Sequence, residues 1–520
     1  MALEASSDEK PGSSPERGDP IALHRAKTFE LARALTQEQV YQWLFRSGYF
    51  PESYVLPPCF AVARAPNKPR QYYPGKKLPA FEWINVYLPR STLTDRRFGI
   101  MHPQVYSDIA LDISKAWPAL VDAMMPTTSS VTSYGFPIPL DAASTGRPGK
   151  LRAGRMIYEF LDMTEDDIAS VACQYEYVVK ADIKNFYPSV YTHSIAWAIH
   201  GKAEARAKRN DLALLGNRLD RLFQQSNDGC TNGIPIGPAV SDVVAEVLAA
   251  AVDVSLSQAA RKEHLEFEAV RFKDDYRILV KSEAHARAIV KLLQGALRQY
   301  NLELSDEKTR ISVLPDGLFR EWVSRYYAVH PERKDAYSWK DFRELYLAVL
   351  QIDRACPGTG VVDRFLADIT TSGGRLKVDL SDSNLQKIIS MLFMLAKLRI
   401  KAFPKVVAIV EQILRSDFGK RRESEIVRYL VGYLEQLCKN ADRNTYLISW
   451  IAYFLSSNDL MGHLGWTPMF ADPIAGSILE NRAKFFEDAP DFELFVDCRE
   501  AGRRTSMFDY LAVFSPPKTD

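Results

Sequence analysis

The sequence lacks the features that mark secreted, membrane-spanning and zinc-binding proteins. Its 520 residues include only six cysteines, which lie far apart without a CxxC pair, and no histidine cluster has zinc-ligand spacing. No run of about 18 apolar residues occurs, and the N-terminal letters MALEASSDEKPGSSPERGDP hold charges, proline and serine where a signal peptide needs an apolar run. We therefore expect a soluble, cytoplasmic protein with free thiols and no membrane contact.

An excess of charge of either sign is also missing. The chain has 66 Lys and Arg against 65 Asp and Glu, so its net charge is +1. This balance excludes a histone-like polycation, because such proteins bind nucleic acid mainly by neutralising phosphates. The 47% of hydrophobic and 25% of charged residues are ordinary for a globular protein. The length allows about two to four domains.

The residue pattern divides the chain into three regions. Residues 1–25 are rich in Ser, Gly, Pro, Asp and Glu, which predicts a flexible tail. Residues 26–325 mix strand and helix patterns, which indicates an α+β unit. Residues 326–520 show helical patterns that begin roughly every 20 to 30 residues, which favours an all-α stack of the HEAT type. The helices predicted in this last region are 383–399, 404–415, 423–438, 443–456 and 475–486.

Hydrophobic periodicity predicts the main elements of the α+β region. Helices are predicted at 36–48, 103–119, 190–207 and 239–260, and an extended segment at FEWINVYLP. Residues 177–182 (YVVKAD) are predicted to form a short strand. Residues 270–281 read as a second strand segment that two acids break in its middle.

The broken segment holds the adjacent acids Asp274 and Asp275. Apolar β-forming residues flank the pair, among them Val270, Phe272 and Ile278. This pattern predicts a hairpin tip with buried arms, where unpaired carboxylates are costly unless a cation neutralises them. A divalent metal ion is the natural neutraliser, because carboxylate oxygens are its preferred ligands.

Asp182 ends the first of the two predicted strands. If the strands are neighbours, Asp182 meets Asp274 and Asp275 in a three-carboxylate site that suits two magnesium ions. Such a site favours nucleotidyl transfer, in which one metal activates a hydroxyl and the other holds the triphosphate. The glycine-rich turn at residues 232–238 (NGIPIGP) lies between the two strands in sequence and lets the backbone approach a bound nucleotide closely.

Four segments in order carry a family resemblance. They read DIKNFYPS, GIPIGPAVSD, FKDD and LELSDEKT and fall within about 130 residues. This series resembles motifs A to D of reverse transcriptases. The letters FYPSVYTHSIAWAIHGK and GYFPESYVLPPCF are similar to the abortive-infection (Abi-type), defence-associated reverse transcriptases of bacteria. The resemblance implies right-hand polymerase palm and fingers, followed by an α-helical repeat domain that replaces a thumb.

The resemblance also assigns roles to individual acids. It implies that Asp182, Asp274 and Asp275 are the catalytic residues of a nucleotidyltransferase. Asp182 and Asp274 would be metal ligands, with Asp275 and the carbonyl of Ile183 beside them. The implied cofactor is Mg²⁺, with Mn²⁺ as an alternative ion.

Five further residues match nucleotide-binding positions of the family. Tyr187 takes the steric-gate position, where a ring under the sugar rejects a 2′-hydroxyl. Gly237 lies in the motif B turn, and Lys308 matches the motif D lysine that protonates pyrophosphate. Lys150 and Arg152 are similar to the basic fingers hairpin that grips the triphosphate. Two departures are that motif C has Phe272 in place of tyrosine and that motif B lacks its usual glutamine.

The function implied by the resemblance is an antiphage DNA polymerase that needs no supplied template. Its partners would be deoxynucleoside triphosphates, a single-stranded DNA product attached to protein, a noncoding RNA, a phage protein trigger and further copies in a trimer or hexamer. One alternative is a conventional RNA-templated reverse transcriptase of retron or intron type. Another is a non-catalytic sensor in which the palm is only a scaffold. The tyrosines considered as hydroxyls for protein priming are Tyr41, Tyr49, Tyr54, Tyr429, Tyr433, Tyr446 and Tyr453.

Overall fold

The computed structural model describes residues 19–66, 69–74, 78–90, 94–140, 163–466 and 470–511. All seven named strands lie before residue 314, and the described chain after them is helical with connecting loops. The predicted fold class, an α+β front followed by an all-α rear, is therefore confirmed. Lys150 and Arg152 lie outside the described residues.

Two sheets form the front of the molecule. A two-stranded antiparallel hairpin, β1 and β2, stands apart from a five-stranded sheet of order β3-β5-β6-β4-β7. In the larger sheet β3 runs parallel to β5, and the other neighbours are antiparallel. The strands are β1 Ile84–Pro89, β2 Asp95–Ile100, β3 Val131–Ser133, β4 Tyr177–Asp182, β5 Phe267–Phe272, β6 Asp275–Val280 and β7 Arg310–Val313.

Helices surround this larger sheet. The longest, Ala239–Lys262, is rich in small residues and buried along most of its length. Residues 163–169 are also helical. The other helices of the front are Pro20–Arg33, Gln37–Arg46, Pro103–Lys115, Trp117–Met124, Phe186–Ser189, His193–His200, Lys202–Ala207, Leu215–Gln225 and Glu283–Gln299.

Arg271 on β5 joins the sheet to the helix Ala239–Lys262. Its side chain is fully buried, and its guanidinium donates to Glu246 at 2.7 Å and to Asp253 at 2.9 Å. The Tyr276 hydroxyl donates to the other oxygen of Asp253 at 2.7 Å. Because each buried charge is paired, the network fixes the helix against the sheet without leaving an uncompensated ion.

The rear consists of helices stacked against one another. The helix Glu423–Cys438 packs on Ala441–Ser457, which in turn packs on Pro473–Glu480 and Cys498–Arg504. Helices are present in all five segments that the periodicity predicts, because apolar side chains recur on the face turned to the core. The rear helices are Glu321–Val329, Trp339–Ala355, Val361–Asp368, Leu385–Leu395, Phe403–Arg415, Asp417–Arg421, Glu423–Cys438, Ala441–Ser457, Pro473–Glu480, Cys498–Arg504 and Met507–Leu511.

Three predicted boundaries need correction. The predicted tail 1–25 is wrong over its last residues, because a helix begins at Pro20 with Asp19 as its N-cap and buries Ile21. The predicted helix 190–207 is two helices, separated at Gly201, whose φ of +79° ends the first one. The predicted helix 103–119 ends at Lys115, and a second helix begins at Trp117.

Hydrogen bonds from the C-terminal segment connect the rear of the molecule to the front. The Glu493 backbone exchanges hydrogen bonds with Arg64, and the Val496 N–H donates to the Cys59 carbonyl at 2.8 Å. The Tyr510 hydroxyl donates to the Leu56 carbonyl at 3.1 Å. The two regions thus share one continuous core. Within the described ranges, no helix is long and apolar enough to cross a membrane.

Candidate active site

The sheet brings the predicted catalytic acids to one edge. Asp182, the last residue of β4, lies opposite Asp275, the first residue of β6. Asp274 occupies the turn between β5 and β6, and its carbonyl accepts the N–H of Ile183 at 3.1 Å. The acids are far apart in sequence, and the antiparallel pairing of β4 with β6 makes them neighbours.

The turn that holds Asp274 depends on two features of local backbone. Lys273 adopts a left-handed conformation with a φ of +54°, which reverses the chain between the two strands. Gly135 lies directly beneath it, because a Cβ there would stand 2.7 Å from the Lys273 backbone nitrogen. A residue without a side chain at position 135 therefore allows the hairpin tip to pack closely.

Crowding of the acids changes their protonation. Burial, repulsion from Asp274 and a hydrogen bond shared with Asp182 together raise the pKa of Asp275 to about 7. Part of the Asp275 side chain still reaches solvent, although protein atoms enclose the rest of it. Burial and then repulsion from Asp182 raise the pKa of Asp274. The three acids therefore form one electrostatic group that a nearby cation would stabilise.

Lys308 supplies a positive charge to this group. Its Nζ donates to Asp182 Oδ2 at 2.6 Å, and Asp182 itself is 5% exposed. The lysine is positioned because the Ser305 N–H donates to the Asp182 carbonyl at 2.8 Å and Ile183 bridges to Leu304. The predicted motif D lysine thus lies at the acids, and it must leave Asp182 before it can protonate a departing group.

The donor chemistry of the site suits a hard divalent ion. Asp182, Asp274 and Asp275 offer carboxylate oxygens, which Mg²⁺ and Mn²⁺ prefer. Their mutual repulsion also favours a cation, and Lys308 meets part of that need. Across the part of the chain that the structure describes, no three His, Cys, Asp or Glu side chains are grouped closely enough to hold a metal.

Tyr187, the predicted steric gate, is held in place by Asp242, the last residue of the segment GIPIGPAVSD, to which the sequence assigns no role. It lies on the short helix Phe186–Ser189, five residues after Asp182, and its hydroxyl donates to Asp242 Oδ1 at 2.6 Å. Asp242 belongs to the first turn of the helix Ala239–Lys262. Only the fold reveals this contact, because no sequence rule connects an aspartate in that helix to a ring after β4.

The glycine-rich turn packs against the same structure. The N–H groups of Gly233 and Ile234 donate to the carbonyls of Val190 at 2.8 Å and Tyr187 at 3.0 Å. Gly237 has a φ of +120°, and a Cβ there would meet Pro51 Cγ at 2.8 Å. These contacts place the predicted motif B turn beside the predicted gate.

Several of the tyrosines considered for priming are buried. The Tyr49 hydroxyl donates to the Met101 carbonyl at 2.5 Å, and the Tyr446 hydroxyl donates to the Tyr54 carbonyl at 2.7 Å. The Tyr41 hydroxyl lies 2.9 Å from Ser107 Oγ inside the core. The Tyr453 hydroxyl is buried and has no hydrogen-bond partner among the described residues. These four hydroxyls cannot reach the acids without local unfolding.

Comparisons with known proteins agree with this geometry. Residues 148–340 match the model of the family "Reverse transcriptase (RNA-dependent DNA polymerase)". The matched stretch includes all three acids, Tyr187, Gly237 and Lys308. The chain therefore contains a reverse transcriptase domain, the nucleotidyltransferase domain of an RNA-directed DNA polymerase. Polymerases of this family generally use divalent metal ions.

Solved structures of low similarity match a larger share of the chain. Telomerase from Candida albicans, in complex with a TWJ fragment of telomeric RNA, is 11% identical with a TM-score of 0.29 and covers 75% of this chain. Apo telomerase from Candida tropicalis is 10% identical with a TM-score of 0.31 and covers 73%. The matches span 66% and 69% of those two chains. No curated protein matches this chain.

Proposed function

We propose that this protein is an antiphage defence DNA polymerase that performs magnesium-dependent deoxynucleotidyl transfer. The observation that carries the proposal is the pairing of Asp182 with Asp275, next to Asp274, inside a reverse transcriptase domain. Synthesis is proposed to need no template and to start on a protein hydroxyl or in association with a noncoding RNA. The defence role is supported by the motif resemblance and by the all-helical rear that follows the domain.

In the proposed reaction, a hydroxyl oxygen loses its proton to water and attacks the α-phosphorus of a deoxynucleoside triphosphate, and the bond to the pyrophosphate oxygen breaks. A bound divalent metal supplies activation of the hydroxyl and neutralisation of phosphate charge. Asp182 and Asp274 would hold it, with the Ile183 carbonyl beside them. Lys308 leaves its carboxylate partner and donates a proton to the pyrophosphate.

Sugar selection is proposed to rest on Tyr187 and Asp242. The hydrogen bond between them fixes the ring, so the ring cannot rotate away from a 2′-hydroxyl. Gly237 gives the adjacent turn the space it needs against Pro51. Deoxynucleotides are therefore the proposed substrates.

The rival enzyme is a conventional RNA-templated reverse transcriptase, which the matched family description itself favours. A non-catalytic sensor is favoured by the ion pair of Lys308 with Asp182, because it neutralises the acid without a metal. In either case the proposed setting is the cytoplasm, which agrees with six free thiols. Trimers or hexamers and a phage protein trigger are proposed on the resemblance alone.

Incorporation of labelled deoxynucleotides by the full chain tests the proposal. Purified protein is incubated with Mg²⁺ and each nucleotide, with and without added RNA template, and the product is separated under denaturing conditions. Label that appears without template and migrates with the protein until protease treatment supports protein priming. Strict dependence on the RNA template supports the conventional enzyme.

Matched variants make the assay specific to the site. Asp274→Asn with Asp275→Asn removes the charges of the hairpin tip. Asp166→Asn serves as the control, because Asp166 is exposed and belongs to the chain's other Asp-Asp pair, Asp166 and Asp167. Activity in the control and none in the double variant supports the polymerase. Folded wild-type protein that incorporates no nucleotide under any condition supports the sensor.

A further inference from the structure

The segment at residues 51–52 touches both predicted turns of the candidate active site. Pro51 packs against the predicted motif B turn, because a Cβ added at Gly237 would stand 2.8 Å from Pro51 Cγ. Its neighbour Glu52 forms an ion pair with Lys273, with 3.7 Å between Glu52 Oε1 and Lys273 Nζ. Lys273 immediately precedes Asp274 in the segment FKDD. Glu52, to which the sequence assigns no role, therefore contacts the turn that carries an acid of the site.

Protein atoms enclose most of this ion pair. The Glu52 side chain is 17% exposed and the Lys273 side chain is 29% exposed. The second carboxylate oxygen, Glu52 Oε2, is buried and has no hydrogen-bond partner among the described residues. Because water and salt screen such a pair less than they screen a surface pair, it directs the Lys273 ammonium toward Glu52.

The backbone of the acid turn is held by contacts that do not involve Glu52. The Arg271 guanidinium donates to the Lys273 carbonyl at 2.9 Å. The Ile183 N–H donates to the Asp274 carbonyl at 3.1 Å. Glu52 therefore acts on the lysine side chain, and removal of its charge leaves these two backbone contacts intact.

The charge of Lys273 acts on the neighbouring acid. Burial raises the pKa of Asp274, as does repulsion from Asp182, and the Lys273 ammonium opposes both by lowering it. An ammonium that is released from Glu52 is able to pair with the Asp274 carboxylate, where it competes with a divalent cation for the same oxygens. An ammonium that is held on Glu52 leaves those oxygens to the metal.

We propose that Glu52 is a positioning residue, which holds the Lys273 ammonium on its own carboxylate so that Asp274 is left to bind the divalent metal. The inference rests on the proposed function, because it concerns the metal that the proposed reaction needs. Glu52 acts through Lys273 and is not itself a ligand. The ion pair also accounts for a lysine directly beside the acids, since an ammonium turned toward them weakens metal binding.

Binding of Mn²⁺ alone, measured without nucleotide, tests the positioning role apart from catalysis. The full chain is titrated, free Mn²⁺ is followed by its electron paramagnetic resonance signal, and the binding that is lost in Asp274→Asn belongs to the site. Glu52→Gln is expected to raise the Kd for Mn²⁺ about fivefold, since the released ammonium competes for Asp274. Lys273→Gln in the same chain is expected to return Kd to within about twofold of the wild-type value, or below it.

Two controls separate this effect from a general loss of charge. Glu303→Gln breaks an ion pair of 3.6 Å with Lys184, which lies two residues after Asp182. Both side chains of that pair are exposed, so Kd is expected to change less than about twofold. Lys401→Gln, added to the Glu52→Gln chain, removes a second lysine that interacts electrostatically with Glu52 and is expected to leave Kd raised.

An unchanged Kd in Glu52→Gln overturns the positioning role. A raised Kd that persists when Lys273 is also replaced overturns it too, because a merely structural role of Glu52 does not depend on that lysine. Recovery of Kd on replacement of Lys401 does the same. Wild-type protein that binds no Mn²⁺ overturns the metal site and the positioning role together. The expected pattern of Kd values in a protein that incorporates no nucleotide refutes the proposed polymerase and leaves the positioning role standing.

Discussion

At the scale of single residues, the contact between Tyr187 and Asp242 bears on which sugar the proposed site accepts. Tyr187→Val removes the ring that is proposed to lie under the sugar, so ribonucleotide use relative to deoxynucleotide use is expected to rise by at least tenfold. The measurement is the ratio of kcat/KM for the two nucleotides. Tyr187→Phe keeps the ring but loses the 2.6 Å hydrogen bond and is expected to relax selection only partly.

Asp242→Asn separates a positioning role from a structural one. It is expected to shift the same ratio in the same direction as Tyr187→Phe, with little further effect in the double variant, because both changes weaken one contact. A lower kcat with an unchanged nucleotide ratio would contradict the positioning role.

The role of a residue could be predicted from the sequence only where a motif assigned it. Asp182, Asp274 and Lys308 stand in ordered motifs, and the structure places all three together. Asp242 ends the segment GIPIGPAVSD, but that segment does not indicate its contact with Tyr187, because tertiary packing brings together two residues that are 55 positions apart in the chain.

At the scale of elements, the predicted motif B turn packs closely against Pro51 at Gly237. Gly237→Ala is expected to lower incorporation and thermal stability, because the φ of +120° is strained for alanine and its Cβ would meet Pro51. Gly295→Ala, within a helix and with open space around its Cβ, is the control and is expected to be neutral or stabilising by about 0.5–1 kcal/mol. The measurements are melting temperature and incorporation rate.

The ion pairs of Arg271 are expected to be a main link between the helix Ala239–Lys262 and the sheet. Arg271→Met leaves Glu246 and Asp253 buried without their partner, which is expected to cost about 3–5 kcal/mol of unfolding free energy. Arg287→Gln breaks an exposed pair on a helix surface and is expected to cost less than about 0.5 kcal/mol. Denaturant titration of both variants checks the difference, and equal losses would contradict it.

Element types followed from periodicity, whereas several boundaries did not. The strand β4 spans the predicted residues 177–182, because its run of β-forming residues ends at Asp182. The break at Gly201 was missed, because a single glycine in an apolar helical pattern does not reveal its φ. The pairing of β4 with β6 needed the resemblance, since strand order is a long-range property.

At the scale of the whole molecule, the last segment binds the rear to the front. Phe495 is buried against Phe60, with ring centroids 5.4 Å apart. Phe495→Ala is expected to cost about 3–5 kcal/mol and to speed hydrogen exchange in residues 49–60 as well as in the rear. Phe319→Ala, at an exposed ring, is the control. Faster exchange confined to the rear would show that the two regions unfold separately.

Asp182 and Asp274 are proposed to support nucleotidyl transfer. The most direct measurement is single-turnover deoxynucleotide incorporation by the full chain with Mg²⁺, compared with Asp182→Asn and Asp274→Asn. Each variant is expected to lose roughly a hundredfold or more of this rate, since the charge that holds the metal is worth several kcal/mol. Incorporation at the wild-type rate in either variant would contradict it.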